Sequence, residues 1–283
     1  MKIVVSDDKV YGIYGDRFPG IKAFIFPQGE KNKSLRTYEN LMEFLADEKV
    51  DKTDTLIALG GGVTGDITGF AAATYKRGIK YIQVPTTLMA MVDSSIGGKT
   101  GVNLSCGKNL VGAIYPADDV ILNLDFLKTL DERNFNNGMA EVIKYQVITG
   151  ENLVDMELGA MVRRCIEIKK EIVARDPFDR GERRILNLGH TVGHAVEKLS
   201  GYELLHGEAV AIGMVCIARY AGMKDMDKLI ALLKRYNLPT ELTYSKKEIL
   251  EVIKEDKKIE DGYITMALPK EFGKVVLEKV EVR

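Results

Sequence analysis

Short apolar runs that alternate with helical patterns over the first half, a glycine-rich turn between one such run and a helix, and long helical segments over the second half predict an α/β protein. The predicted architecture is an N-terminal Rossmann-like domain built on a parallel sheet, residues 1–126, followed by a mainly α-helical domain, residues 127–283. A chain of 283 residues is about twice the usual ~150 residues of one domain, which suits that division.

IKAFIFP reads as a strand. Ser34 then caps a helix that carries Leu35, Tyr38, Leu41, Met42 and Leu45 on one face. TLIALG and KYIQVP are two further buried strands, and between them DITGFAAATY is small, apolar and of helical length. Strand, helix, strand in that order builds a parallel sheet. From Leu127 the pattern turns helical, in LGAMVRRCIEIKKEIVARD and ERRILNLGHTVGHAVEKLS, with apolar residues three and four apart. Asn237 and Pro239 interrupt the later helices, and GYITMALP with KVVLEKV predicts a short terminal hairpin. The chain has no internal repeat and no low-complexity linker.

Apolar residues make up 46% and charged residues 29%, with 40 lysines and arginines against 41 acids. That is the profile of a soluble globular protein, not of a nucleic-acid coat or a disordered tail. MKIVVSDDKV places acids straight after a very short apolar run, and no later apolar stretch reaches ~18 residues, so no secretory or spanning segment is expected and the cytoplasm is. Cys106, Cys165 and Cys216 form no CxxC pair; buried free thiols are expected rather than disulfides or a cysteine metal site.

Gly60, Gly62 and Gly65 follow a strand, open a helix and fit the GxGxxG spacing of dinucleotide sites. Glycines there let the backbone approach a pyrophosphate, whose charge sits on the free N–H groups of the helix start. A tight turn without ligand is the competing reading. The acid expected about 20 residues downstream for the ribose is missing, since that position falls in YIQVP, which counts against an ordinary Rossmann dehydrogenase. Glu30 in PQGEKNK is an alternative source. The stretch PTTLMAMVDSSIGGKTGVNLSCGKNLVGA reads as loops rich in hydroxyls and glycines, in which Lys99 and Lys108 can converge on an anion such as a phosphorylated substrate.

Histidine occurs only as His190, His194 and His206, all within seventeen residues. His190 and His194 are four apart in GHTVGH, on one helical face, and all three can point at one cleft. Imidazoles plus a carboxylate describe a catalytic zinc site with an open position. Spacing alone makes both helical histidines ligands, as in zincins, although Thr191 stands where HExxH has its Glu, which disfavours a protease. Glu141, on an apolar helix face with Lys144 one turn away, is the candidate acid ligand; an ordinary salt bridge is the competing reading.

In their order and spacing, PQGEKNK, GGGVTGD, YKRG, PTTLMAMVDSSIGGKTGVN, GKN, MAEVIK, NLGHTVGH and HGEAVAIGM resemble the 3-dehydroquinate synthase family across nearly the whole chain. Its superfamily also holds sugar-phosphate cyclases of antibiotic pathways and, more distantly, glycerol dehydrogenases. The resemblance implies zinc, or another divalent ion such as Co2+, held by Glu141, His190 and His206, with His194 left for substrate contact or proton transfer. This overrides the two-ligand reading of GHTVGH. It implies NAD against Glu30, Lys33, Gly60, Gly61, Gly62, Val63, Asp66, Thr86, Thr87, Lys99 and Lys108. Around the substrate it implies Asp93, Lys99, Lys108, Asn109, Lys144, Lys169, Arg183, Asn187 and one of Lys257 or Lys258.

The implied substrate is 3-deoxy-D-arabino-heptulosonate 7-phosphate, a phosphorylated sugar acid. It becomes 3-dehydroquinate and phosphate through NAD-mediated transient oxidation, phosphate elimination, reduction, ring opening and intramolecular aldol closure, a step of the shikimate pathway. In the family an arginine at the YKRG position reaches a neighbouring subunit, so Arg77 implies a homodimer. No nucleic-acid or membrane partner is expected. The segment before the GE..K motif is short for the family, which implies that an early strand or an acidic nucleotide contact is absent or displaced. VGAIYPADD replaces a wall usually built with an aromatic and Gln-Pro, and Lys170 adjoins Lys169.

Overall fold

The strongest folding signals of the first half are apolar runs that can be buried on both faces, and the computed structural model, which describes residues 1–254 and 262–282, uses them as the centre of a sheet. The chain divides into two compact units, Met1–Asp131 and Glu132–Arg283.

In the first unit, β1 (Lys2–Asp7), α1 (Asp8–Tyr14), β2 (Lys22–Phe26), α2 (Leu35–Asp47), β3 (Thr55–Gly60), α3 (Gly62–Thr74) and β4 (Lys80–Pro85) are followed by a hairpin, β5 (Lys99–Leu104) and β6 (Gly107–Ile114), and by the short β7 (Asp119–Val120). Five strands form one sheet in the order β2-β1-β3-β4-β7, all parallel, with Ile3 beside Lys22, Lys2 beside Thr55 and Thr55 beside Lys80. The chain passes from β1 to β2 on one side and to β3 on the other. The order therefore reverses between β1 and β3, and the carboxyl ends there, Asp7 and Gly60, mark the crevice where open α/β sheets take ligands.

Ile3, Val5 and Leu56 pack with Leu41 and Leu45 of α2 and Ile67 and Phe70 of α3. Val4 and Ile57, on the other face, are equally buried, which is why these strands read as continuous apolar runs instead of alternating ones. Ser34 caps α2, its Oγ accepting from Thr37 N at 3.2 Å. Leu35 does not join the apolar face of that helix; it lies at the first helical position and is 44% exposed.

Two features of this unit differ from the sequence reading. β1 was not expected, because IVV is too short a run to be read alone, yet it pairs on both sides at the middle of the sheet. The stretch after Thr86 is not all loop: Ala90–Ser94 is a wide π-helical turn and residues 99–114 are antiparallel strands. Its glycines mark strand contact. Gly101 pairs with Gly112, and a Cβ on Gly112 would lie 2.0 Å from Thr100 O. The first unit also keeps the turn Leu124–Thr129, whose Phe126 ring meets Tyr14 at 4.7 Å, so the division falls after Asp131 where the pattern change suggested residue 126.

The second unit contains α4 (Glu132–Thr149), α5 (Leu158–Arg175), α6 (His190–Leu199), α7 (His206–Tyr220), α8 (Met226–Arg235) and α9 (Lys246–Lys254), then the hairpin β8 (Tyr263–Glu271) and β9 (Lys274–Glu281). α7 is buried all round from Ala209 to Val215, and α4 from Gly138 to Val147, the mark of helices at the centre of a core. ERRILNLGHTVGHAVEKLS is not one helix. A 3-10 turn, Glu182–Asn187, ends before Gly189, whose φ of +79° breaks the run and starts α6 at His190.

α6 and α7 touch backbone to backbone: a Cβ on Gly213 would meet Gly189 O at 2.0 Å, and one on Gly193 would meet Ala209 O at 3.1 Å. Of the free cysteines, Cys165 is buried, but Cys106, in the turn between β5 and β6, is exposed, against expectation. No described helix is long and apolar enough to cross a membrane.

The glycine contact gives a signed prediction. Gly213→Ala forces overpacking worth about 1–3 kcal/mol and lowers the thermal midpoint. Gly12→Ala, where an added Cβ meets nothing within 4 Å, raises stability by about 0.5–1 kcal/mol because it lies inside α1. Circular-dichroism melts of both variants check this; a Gly213→Ala midpoint at or above wild type would remove the contact from the account.

Candidate functional site

A fully buried carboxylate needs a partner of opposite charge, and Glu141, with no solvent exposure, has several. Its Oε2 is paired with the ammonium of Lys144, one turn along α4. Its Oε1 lies 3.6 Å from His190 Nε2 and 3.5 Å from His206 Nε2. One ligand atom from each of these three residues falls within 4.8 Å of the others. Zinc with nitrogen and oxygen ligands at ~2.0–2.2 Å in a tetrahedron needs ligand atoms roughly 3.4 Å apart. The donor set therefore fits a divalent cation with little rearrangement, and three protein donors leave a position open for substrate.

The histidines are oriented from outside. His190 Nδ1–H donates to Leu188 O at 3.1 Å, which leaves Nε2 as the lone-pair donor. His206 Nδ1 lies 3.8 Å from Glu197 Oε2. Burial and the ammonium of Lys144 hold His190 well below the usual imidazole range, more than Glu141 restores. Burial also works against charge on His206, but Glu141 and Glu197 reverse it and push that imidazole up to about 9. His194 is not in the converging set. Its ring centroid is 5.5 Å from that of His190 and 5.9 Å from that of His206, beside the cluster. Spacing on one helix pairs His190 with His194, whereas the tertiary contact of α6 with α7 brings His190 together with His206 beside Glu141.

The other predicted residues of this unit are mostly inside it. Lys144, Lys169 and Arg183 are all buried, and α5 and the turn carrying Arg183 and Asn187 pack on α4 and on each other. Lys170 is exposed, so Lys169 is the inward member of that pair. Arg183 donates to Pro177 O at 2.9 Å. Lys144, Lys169 and Arg183 are the buried cations of this unit among the described residues, and Lys144 is already paired with Glu141. Lys257 and Lys258 lie outside the described residues.

In the first unit, Gly61 is the N-cap of α3 and offers no side-chain cap, so the first N–H groups of the helix await an acceptor. A Cβ on Gly60 would meet Thr64 Oγ1 at 2.4 Å, one on Gly61 Thr87 Cγ2 at 3.2 Å, and one on Gly62 Ser94 Oγ at 3.0 Å. The hydroxyls of Thr64, Thr86, Ser94 and Ser95 are buried without a hydrogen-bond partner. Unfilled N–H and O–H donors around a glycine loop fit a dinucleotide pyrophosphate. Gly65 closes the helix onto β4, where its Cβ would be 2.7 Å from Gln83 Oε1.

Beside this loop, Lys33 is buried, its ammonium on the Asp66 carboxylate and donating to Asn109 Oδ1 at 2.5 Å. Glu30 Oε1 accepts from Asn103 Nδ2 at 2.8 Å and lies 3.7 Å from Lys108 Nζ. Asp7, at the end of β1, accepts from Val10 N at 2.9 Å, and burial raises its carboxyl above the usual range; it supplies an acid at the switch point, where the sequence reading implied one absent or displaced.

Lys99 pairs with Ile114 at the open end of the hairpin, and Lys108 follows Gly107 at its turn. Val63 and Thr87 border the loop, and Asp93 is on the π-helical turn with Ser94. Arg77 is exposed on a turn with φ +65°.

The sequence reading placed Thr64 in the glycine loop but did not single out Ser94, Ser95, Asn103 or Glu197. Glu197 carries a signal, since it lies seven residues after His190 on the same helical face. Asn103 needs the hairpin register and carries none.

The 3-dehydroquinate synthase family matches in both parts, its N-terminal region over residues 23–137 and its C-terminal region over residues 138–259. A 3-dehydroquinate synthase of Clostridium acetobutylicum is 42% identical over 99% of this chain and 86% of its own. Among solved structures, 2-epi-5-epi-valiolone synthase of Streptomyces hygroscopicus subsp. jinggangensis, with NAD+ and Zn2+ bound, superposes with a TM-score of 0.91 at 27% identity, over 99% of this chain and 86% of the other. A 2-deoxy-scyllo-inosose synthase complexed with carbaglucose-6-phosphate, NAD+ and Co2+ gives 0.89 at 28%, over 99% and 87%.

Because His206 holds its proton up to about 9 and a metal must displace it, zinc affinity falls as pH falls, by about tenfold per unit below that value. Chelator competition at pH 8 and pH 6 should show an affinity at least ~50-fold weaker at pH 6. Equal affinities at the two pH values would contradict the placement of His206.

Proposed function

The chain belongs to the 3-dehydroquinate synthase family, and on that premise we propose how its residues carry the reaction. It converts 3-deoxy-D-arabino-heptulosonate 7-phosphate to 3-dehydroquinate and inorganic phosphate, without net oxidation. When bound, the divalent cation supplies a Lewis acid and NAD a hydride acceptor that returns what it took.

The rest is done by the chain's own groups. Glu141, His190 and His206 hold zinc or a similar ion, while Lys144 fixes the second oxygen of Glu141. The glycine loop Gly60, Gly61 and Gly62 with Val63, Thr86 and Thr87 cradles the dinucleotide phosphates, and Glu30, Lys33, Asp66 and Lys108 hold its sugars. Lys144, Lys169 and Arg183 meet the anionic groups of the substrate with Asn187, and the loss of phosphate is assisted by His194, the imidazole beside the metal set. Asp93, Lys99 and Asn109 remain substrate contacts on the family pattern alone.

Ring opening and aldol closure need the reacting ends held together, which buried, fixed side chains provide. We also read Arg77 as meeting a second copy of the chain, and place the enzyme in the cytoplasm, where free thiols such as Cys165 persist.

The observation that carries this reading is the convergence of Glu141 Oε1 with the two imidazole nitrogens in a unit that also buries three cations. The buried cations favour a substrate with a carboxylate as well as a phosphate over a neutral sugar phosphate. The test is phosphate release by the purified protein with NAD and zinc, on this substrate and on glucose 6-phosphate, before and after a chelator. Release from the acid substrate alone, abolished by chelator and without NADH build-up, is expected; release from glucose 6-phosphate instead, or steady NADH accumulation, contradicts it. Sedimentation of the same preparation should show a dimer, and a monomer would remove the role given to Arg77.

A further inference from the structure

The main chain at the start of α7 is fixed from two sides. Glu208 accepts from Leu205 N at 2.8 Å and is clasped by Arg133, whose Nε and an Nη lie 2.7 and 2.8 Å from its two oxygens. Gly207 N donates to Asn137 Oδ1 at 2.5 Å. With the backbone of His206 held, what is left to set is the rotation of its ring, and that depends on what meets its nitrogens.

Each nitrogen faces a carboxylate. Nε2 is 3.5 Å from Glu141 Oε1, and Nδ1 is 3.8 Å from Glu197 Oε2. Glu197 is 4% exposed and stands seven residues after His190 and three after His194, on the α6 face that turns to α7. His190 is held differently, by the main-chain carbonyl of Leu188. The 3.8 Å separation is an ion-pair distance, about 1 Å longer than a charge-assisted hydrogen bond, a gap that a small side-chain rotation closes.

We propose that Glu197 is a positioning residue of the metal centre: it takes the Nδ1–H of His206, fixes the ring, and makes Nε2 a more basic ligand. The proposal rests on the metal-centre reading above. It assigns the two histidine ligands unequal partners, a neutral carbonyl for His190 and a carboxylate for His206, both supplied from α6 or the turn before it.

The test is zinc affinity by chelator competition, together with the visible spectrum of the Co2+-loaded protein, for wild type, Glu197→Ala, Glu197→Gln and His206→Ala. Thermal melts and NAD binding verify that each variant is folded. Glu197→Ala should bind zinc about 10–100-fold more weakly and shift the cobalt bands. Glu197→Gln, which keeps an acceptor oxygen without the charge, should show a smaller but measurable loss, under about tenfold.

Glu197 variants that are folded and match wild type in both readouts overturn the proposal, and if Glu197→Ala does not fold, Glu197→Gln alone decides. A wild-type protein that takes up no zinc, or a His206→Ala variant that keeps it, overturns the metal-centre reading as well. Loss in His206→Ala with no change in the Glu197 variants overturns only the role of Glu197.

Discussion

The metal site depends on how closely α6 can approach α7, and glycine sets that approach. Gly213 lies against Gly189 O closer than a side chain permits and Gly193 tightly against Ala209 O, while Gly207 lies equally close to Asn137 O of α4. Every histidine is next to one of these glycines in sequence: His190 follows Gly189, His194 follows Gly193, and His206 precedes Gly207. The contacts that bring the backbones together thus also bring the imidazoles to Glu141. A methyl group at any of them would widen a spacing of 3.5–3.6 Å that a first-row cation tolerates by only a few tenths of an ångström.

Burial of charge is the second constraint, and it opposes stability. Glu141, Lys144, Lys169, Arg183 and Glu197 are all buried in the second unit. Replacing such groups by apolar ones would commonly cost nothing or stabilise the fold. On the function proposed above, ligands offset that cost, a cation for the carboxylate and imidazoles, and anions for the lysines and arginine. The first unit shows the same economy in another form, with donors left unfilled around a glycine loop while the sheet beneath is packed from apolar residues.

The strands TLIALG and KYIQVP, the capped α2, the α3 glycine loop and the terminal hairpin were legible in the sequence, because each rests on a local signal: an apolar run, a cap, or a turn flanked by strand residues. β1 was not legible, since three apolar residues before two acids carry little local signal and the sheet alone makes them a strand. The hairpin of residues 99–114 was hidden by its own glycines, which read as loop but mark paired backbones. Gly189 hid a helix break for the opposite reason, looking like a tolerated glycine within an apolar period.

At the site, the residue types were legible and their pairing was not. The i, i+4 spacing of His190 and His194 suggested one ligand pair, whereas the ligand atoms converge from three different helices. The account's central claim is the identity of the cation's ligands, and X-ray absorption at the zinc edge of the loaded protein tests it most directly. Two imidazole nitrogens and one carboxylate oxygen at ~2.0–2.2 Å are predicted; a third imidazole or a sulfur scatterer would contradict it.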